Sequence, residues 1–130
     1  MTFTSDALVH LCGADEWSRA CQEGAILPQS TDAGAGFIHL STPQQVHLPA
    51  NRLYRGRSDL LMLHIDAGLL DSPVRWEPGV STDPTAMVFP HLYGPLPLRA
   101  VMRVTDYRPG RDGAFPPIAE VPGLGWSAQA

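Results

Sequence analysis

A chain of 130 residues, 44% hydrophobic and 17% charged, is long enough for one domain with a buried core and no covalent staples. Nine cations face thirteen carboxylates, a formal net charge of −4, and every cation is Arg. This balance argues against a general nucleic-acid binder, which needs a basic face against phosphates, although Arg52, Arg55 and Arg57 form a local basic cluster; the lack of Lys excludes Schiff-base chemistry and a P-loop.

In chain order, Met1 to Ala7 has no basic segment followed by an apolar run, so no signal peptide is expected and the expected compartment is the cytoplasm. No run approaches the ~20 apolar residues of a membrane span. Ala7–Cys12 (ALVHLC) reads as a strand bounded by Gly13. Ala14 to Gly24 reads as a helix, with Asp15 and Glu16 in its first turn, Gly24 as its stop, and Trp17, Ala20 and Cys21 on one apolar face. Cys12 and Cys21 fit neither a disulfide framework nor a zinc signature and read as buried free thiols.

Pro28 to Gly36 is a polar loop and Phe37–Ser41 (FIHLS) a second strand. Ser41-Thr42-Pro43 starts a helix that runs from Gln44 to about Tyr54, broken or kinked by Pro49. Leu60–Asp66 (LLMLHID) is nearly all apolar, as a central strand covered on both faces should be. Leu69 to Ser72 turns into a strand at Val74–Glu77, and a Gly79–Pro84 loop follows. Pro90 cannot donate to a ladder, so Met87–Tyr93 (MVFPHLY) reads as an edge, a bulge or a turn. Ala100–Thr105 closes the sheet. The domain is expected to span residues 1–107. Residues 108–130 are expected to form a Pro/Gly-rich extended tail, ordered where Phe115, Ile118 or Trp126 dock. The mix of strands and helices predicts an α+β fold, with helices covering mostly antiparallel sheet.

Chemistry concentrates in the histidines. His10 and His39 sit mid-strand among apolar neighbours, and His91 lies between Pro90 and Pro95. A strand His costs desolvation unless it is hydrogen-bonded, so three of them point to a shared pocket with acid–base or phosphate-binding capacity. His47 and His64 read as structural. Three His ligands would suit zinc, but there is no HxH, no HExxH and no carboxylate at a short fixed spacing, so no metal is expected. Neither G-x-S-x-G nor G-x-G-x-x-G occurs. Arg55 and Arg57 suit bidentate phosphate or carboxylate recognition or, equally, a solvated helix end. Trp76 beside Glu77 offers a stacking platform and a carboxylate or, equally, a core aromatic and a surface ion pair.

LVHL, ADEWSRACQEG, GFIHLST, YRGRSDLLMLHID, VRWEP and FPHLYGPL, in this order over residues 7 to 106, resemble a bacterial family, domain of unknown function 952 (DUF952). That family in turn resembles the ADP-ribosyltransferase superfamily, nearest its RNA 2′-phosphotransferase branch. The shared pattern here is the strand His10, the helix ending in Gly24, Ile38-His39-Leu40, Arg55 to Asp59 and Leu61 to Asp66. The resemblance implies split antiparallel sheets flanked by two main helices, and a cleft that takes NAD, ADP-ribose or a phosphorylated nucleotide for ADP-ribosyl or phosphoryl transfer. It assigns His10 to a ribose hydroxyl, His39 or Ser41 to the nicotinamide ribose or a phosphate, and Arg55 or Arg57 to a phosphate. Thr42, Trp76 and Tyr93 join the binding set; His10, His39, His91 and Glu77 form the catalytic set. This sequence departs from the pattern at two places. His10 is followed by Leu11-Cys12 rather than Gly-Thr, and the late motif supplies His91 while Glu77 lies on the strand before it, so either can face the cleft. Two further readings stand beside the enzyme: a non-catalytic module for a small anionic metabolite, and a structural or interaction domain. Monomer and homodimer are both compatible with the sequence.

Overall fold

The computed structural model describes residues 7–28, 36–78 and 87–118. The fold is α+β, with two helices and three small antiparallel sheets. Strand β1 (Ala7–Gly13) leads into helix α1 (Ala14–Glu23), and β2 (Ala25–Ile26) follows. Then come β3 (Ile38–His39), helix α2 (His47–Leu53), β4 (Leu60–Asp66), β5 (Val74–Pro78), β6 (Val88–Leu92), β7 (Leu96–Pro97) and β8 (Val101–Asp106).

The first sheet has the order β1-β4-β8. Its central strand β4 explains the unbroken apolar run. Leu63 and Ile65 enter one core with Leu8, Cys12, Leu40 and Leu92, while Leu60 and Met62 enter a second with Val9, Leu11, Val46 and Ala50. Residues Tyr107, Phe115 and Ile118 complete that second core. Residues 109–118 are therefore tied down. Asn51 on α2 donates to the Phe115 carbonyl (3.1 Å) and accepts from the Phe115 N–H (2.6 Å). Trp126, by contrast, lies outside the described residues.

Several elements differ from the sequence reading. Helix α1 ends as expected at Gly24, which takes φ +90°, a conformation glycine adopts at little cost. Its apolar face is narrower than expected: Ala20 is buried and Trp17 packs on the core, but Cys21 is exposed. Only Cys12 is a buried thiol, pushed up to about 12 by desolvation and by the nearby Glu16. Helix α2 begins at His47, not Gln44, so Pro49 falls in its first turn, where no helical N–H is lost. The short pairing of β2 with β7 joins two segments 70 residues apart and has no local signal. The loops expected at 29–35 and 79–84 lie outside the described residues.

The largest departure is Pro90. The second sheet has the order β3-β6-β5, so Pro90 sits in a central strand, not at an edge. Its carbonyl accepts from Leu40 N–H (3.0 Å), but it has no N–H to return. Pairing of β3 with β6 stops at His39, and the chain crosses to the first sheet. There Ser41 exchanges two main-chain hydrogen bonds with Val9, at 2.8 and 2.9 Å. Residues 38–41 thus stitch the two sheets together.

Candidate functional site

The stitch brings the histidines together. His39 is paired directly with His91 across β3 and β6, so both side chains leave the same face of the second sheet. Their rings meet edge to face with centroids 5.2 Å apart. His10 comes from the first sheet. Its Nδ1 lies 2.8 Å from the His39 carbonyl oxygen, an acceptor only, so Nδ1 carries the proton and the neutral ring has its lone pair at Nε2. Phe37 packs against the group, stacked on His91 at 4.2 Å and edge-on to His39 at 4.9 Å.

Two clefts share this wall. One, of about 240 Å³, is lined by His10, His39, Ser41 and Glu16, with Ile26 and Tyr54 among its apolar walls. The other, of about 220 Å³, is lined by His39, His91, Ser41 and Arg52, with Phe89 and Pro78. Phe37, His39, Ser41, Pro49 and Leu53 belong to both.

Behind His91 lies a carboxylate. Glu77 Oε1 accepts from His91 Nδ1–H (2.6 Å) and from the Tyr93 hydroxyl (2.7 Å). The Tyr93 and His91 hydrogen bonds hold the Glu77 carboxyl below its ordinary range, and the same bond pushes the Tyr93 hydroxyl up. Arg75 lies over the Tyr93 ring at 5.1 Å. His91 lines the second cleft, and Glu77 lines neither of the two.

Burial holds His10 below the ordinary imidazole value, against the raising effects of its bond to the His39 carbonyl and of Glu16. His39 is lowered first by desolvation, then by the charges of His91, His10 and Arg52. Both rings are neutral at pH 7. Neutral imidazoles with a lone pair suit hydroxyl donors; a phosphate would have to bring a proton.

The other expected residues lie apart from this wall. Arg57 makes a bidentate pair with Asp59 at 2.7 and 2.9 Å and lies over the Tyr54 ring at 5.4 Å. Arg55 donates to the Asp112 carbonyl at 3.4 Å. Neither lines the two clefts, and neither do Thr42 or Trp76; Trp76 is 48% exposed. Tyr93 lines neither cleft and meets the site through Glu77 and the Phe37 ring. His64 is buried with Nε2 on Thr105 Oγ1 (2.9 Å) and is pushed down to about 4 by desolvation and Arg103. His47 is half-buried on α2 and lines neither cleft. Among the described residues no group of three or more His, Cys, Asp or Glu is arranged to hold a metal ion.

Arg52 was legible only as part of a basic cluster. Its helical spacing with Pro49 and Leu53, i, i+3 and i+4, puts all three on the face of α2 that meets the clefts. Phe37 and Glu16 lie in the strings GFIHLST and ADEWSRACQEG but are not among the site residues expected from the sequence.

Residues 11–104 match the family model described as a protein of unknown function, DUF952. The chain belongs to this family. Its fold is similar to that of protein CC0527 from Caulobacter crescentus. The crystal structure of CC0527 is 29% identical, with a TM-score of 0.70 over 85% of this chain and 93% of that one. The solution structure of CC0527 is 30% identical, with a TM-score of 0.67 over 92% of this chain and 94% of that one. No curated protein matches this DUF952 chain. No helix among its described residues is long and apolar enough to cross a membrane.

Proposed function

We propose that the joined clefts bind a phosphorylated nucleotide of the NAD or ADP-ribose kind, in line with the resemblance to the ADP-ribosyltransferase superfamily. The observation that carries this reading is the meeting of His10, His39 and His91 at one wall, with Nδ1 of both His10 and His91 committed to protein acceptors. Two imidazoles tied this way offer Nε2 lone pairs, which match the hydroxyl groups of a ribose. Arg52 on the second cleft supplies the cation for a phosphate, in place of Arg55 and Arg57. Phe37 and Tyr54 supply aromatic surface for a base. Size fits as well. Each cleft alone is below the roughly 300–1,000 Å³ of pockets that enclose a small ligand, and the two joined reach that range.

The test is a thermal-shift titration with NAD, ADP-ribose, inorganic phosphate and nucleoside monophosphates on the full chain and on His39→Ala. A ligand at a hundred times its Kd stabilises the folded state by about 2.7 kcal/mol. Stabilisation of the wild type and not of the variant supports the reading. A flat response across the panel overturns it and returns the cleft to a different small anion, or the domain to an interaction role.

A further inference from the structure

The Glu77–His91 pair goes a step further than binding. His91 is wedged among Phe37, His39 and the Glu77 carboxylate, with its side chain 10% exposed. A carboxylate accepts only, so the 2.6 Å contact fixes the proton on Nδ1. Free imidazole can exchange tautomers; here the carboxylate removes that choice. The same Glu77 oxygen is steadied by the Tyr93 hydroxyl at 2.7 Å, and Tyr93 is in turn packed by Phe37 at 5.1 Å and Arg75. Phe37, His39 and Glu77 directly, and Tyr93 and Arg75 in turn, thus bear on one imidazole that lines the second cleft with Ser41 and Arg52. A histidine needed only as core filler would not require an anionic partner.

We infer that His91 is the proton-accepting group of the cleft and that Glu77 is its positioning residue, rather than a carboxylate acting on the ligand directly. The substrate class is a ligand hydroxyl or a water held in the second cleft. In the step, the hydroxyl O–H bond breaks, Nε2–H forms, and the oxygen's electron pair is released to attack an electrophilic carbon or phosphorus of the bound ligand. The imidazolium is stabilised by the Glu77 carboxylate until Nε2 returns its proton to the departing group. This rests on the cleft being a ligand site, but the tautomer arm of its test does not depend on the ligand.

The experiment is a long-range proton–nitrogen correlation spectrum of the full-length, ¹⁵N-labelled protein at pH 8, with His91 assigned by His91→Gln. The expected result is a pure Nδ1–H tautomer for His91 in the wild type. It is retained in Tyr93→Phe and in Glu77→Gln, whose amide oxygen still accepts, and lost in Glu77→Leu. An Nε2–H tautomer in the wild type, or an unchanged tautomer in Glu77→Leu, overturns the assignment. If Glu77→Leu does not fold, the wild-type spectrum decides alone. ADP-ribose added to the same sample separates the two claims. Failure to raise the melting temperature counts against the nucleotide reading, while binding that leaves the His91 Nε2 resonance unmoved counts against His91 as proton acceptor.

Discussion

His10 donates its Nδ1–H to the main-chain carbonyl of His39 across 2.8 Å, so that a side chain of the first sheet holds the backbone of the second. This bond lies beside the two main-chain bonds between Val9 and Ser41, which keep the same two sheets in register. Replacing His10 by Phe keeps bulk but leaves the His39 carbonyl without its donor. The expected loss is about 1–3 kcal/mol of unfolding free energy. Urea denaturation measures it, and an unchanged midpoint would show that the bond contributes nothing to the docking of the sheets. His10→Asn, which retains an N–H donor, should recover part of the loss.

Three histidines with lowered folded-state values make stability depend on pH, and the sign is fixed. His10, His39 and His64 all have folded-state values below the 6.5 of the unfolded chain. Between the unfolded and folded values the unfolded state binds more protons, so stability is full above about pH 6.5 and is lost as pH falls. For His64 the window runs from 6.5 down to about 4. Glu77 acts in the same direction at lower pH, because its folded value lies below 4.5 and its contribution is lost as pH falls through that value. Unfolding free energies at pH 8, 6.5 and 5 should decline in that order. Since one titrating group contributes at most about 1.4 kcal/mol per pH unit, His64→Gln should visibly flatten the slope below pH 6.5. A stability maximum at pH 5 would refute the assignment of these rings as neutral.

Ligand binding should couple to protons as well. An anion beside His39 and Arg52 opposes the desolvation that keeps His39 neutral and raises its proton affinity in the bound state. The bound state then holds more protons than the free one, so affinity for ADP-ribose or phosphate should rise as pH falls from 8 to 6, by at most about tenfold per unit per proton taken up. Calorimetry in two buffers of different ionisation enthalpy reads the proton uptake directly. Binding without uptake would place the phosphate away from His39.

The α+β character, β1, the extent of α1 and the central position of β4 were readable in the sequence because each rests on local pattern: LLMLHID supplies Leu60, Met62, Leu63 and Ile65 to the two cores. What the pattern could not give is pairing. His39 and His91 are 52 residues apart, and only the β3–β6 register makes them neighbours. Pro90 argued for an edge because a missing N–H usually excludes a central strand. It is tolerated because β3 ends where that N–H would have been needed. Arg55 and Arg57 drew attention through the local string YRGRSD. Yet the geometry ties Arg57 to its own neighbour Asp59 and brings Arg52, one helical turn earlier, to the cleft. The split between Glu77 and His91 was undecidable from sequence, since strand alternation alone does not say which end of a hydrogen-bonded pair meets solvent.

The segment after Arg108 gives the last prediction. Its composition predicted an extended tail ordered where Phe115, Ile118 or Trp126 dock, and Phe115 and Ile118 are each 2% exposed and share a core with Met62, Val46 and Tyr107. The two bonds between Asn51 and the Phe115 main chain fasten this segment to α2, the helix that brings Pro49, Arg52 and Leu53 to the clefts. Phe115→Ala should therefore cost about 3–5 kcal/mol, as a buried aromatic does, and a chain ending at residue 107 should lose more. Asn51→Ala removes two hydrogen bonds, worth about 1 kcal/mol each. Because it acts on α2, it should also weaken ADP-ribose binding, whereas a conservative Ile118→Val should lower stability by about 0.5–1.5 kcal/mol with no change in affinity. Denaturation of all four variants, with calorimetry on Asn51→Ala and Ile118→Val, tests this. Equal ligand affinity in Asn51→Ala and wild type would mean that α2 keeps its place without the clasp, and that the C-terminal segment contributes to the core alone.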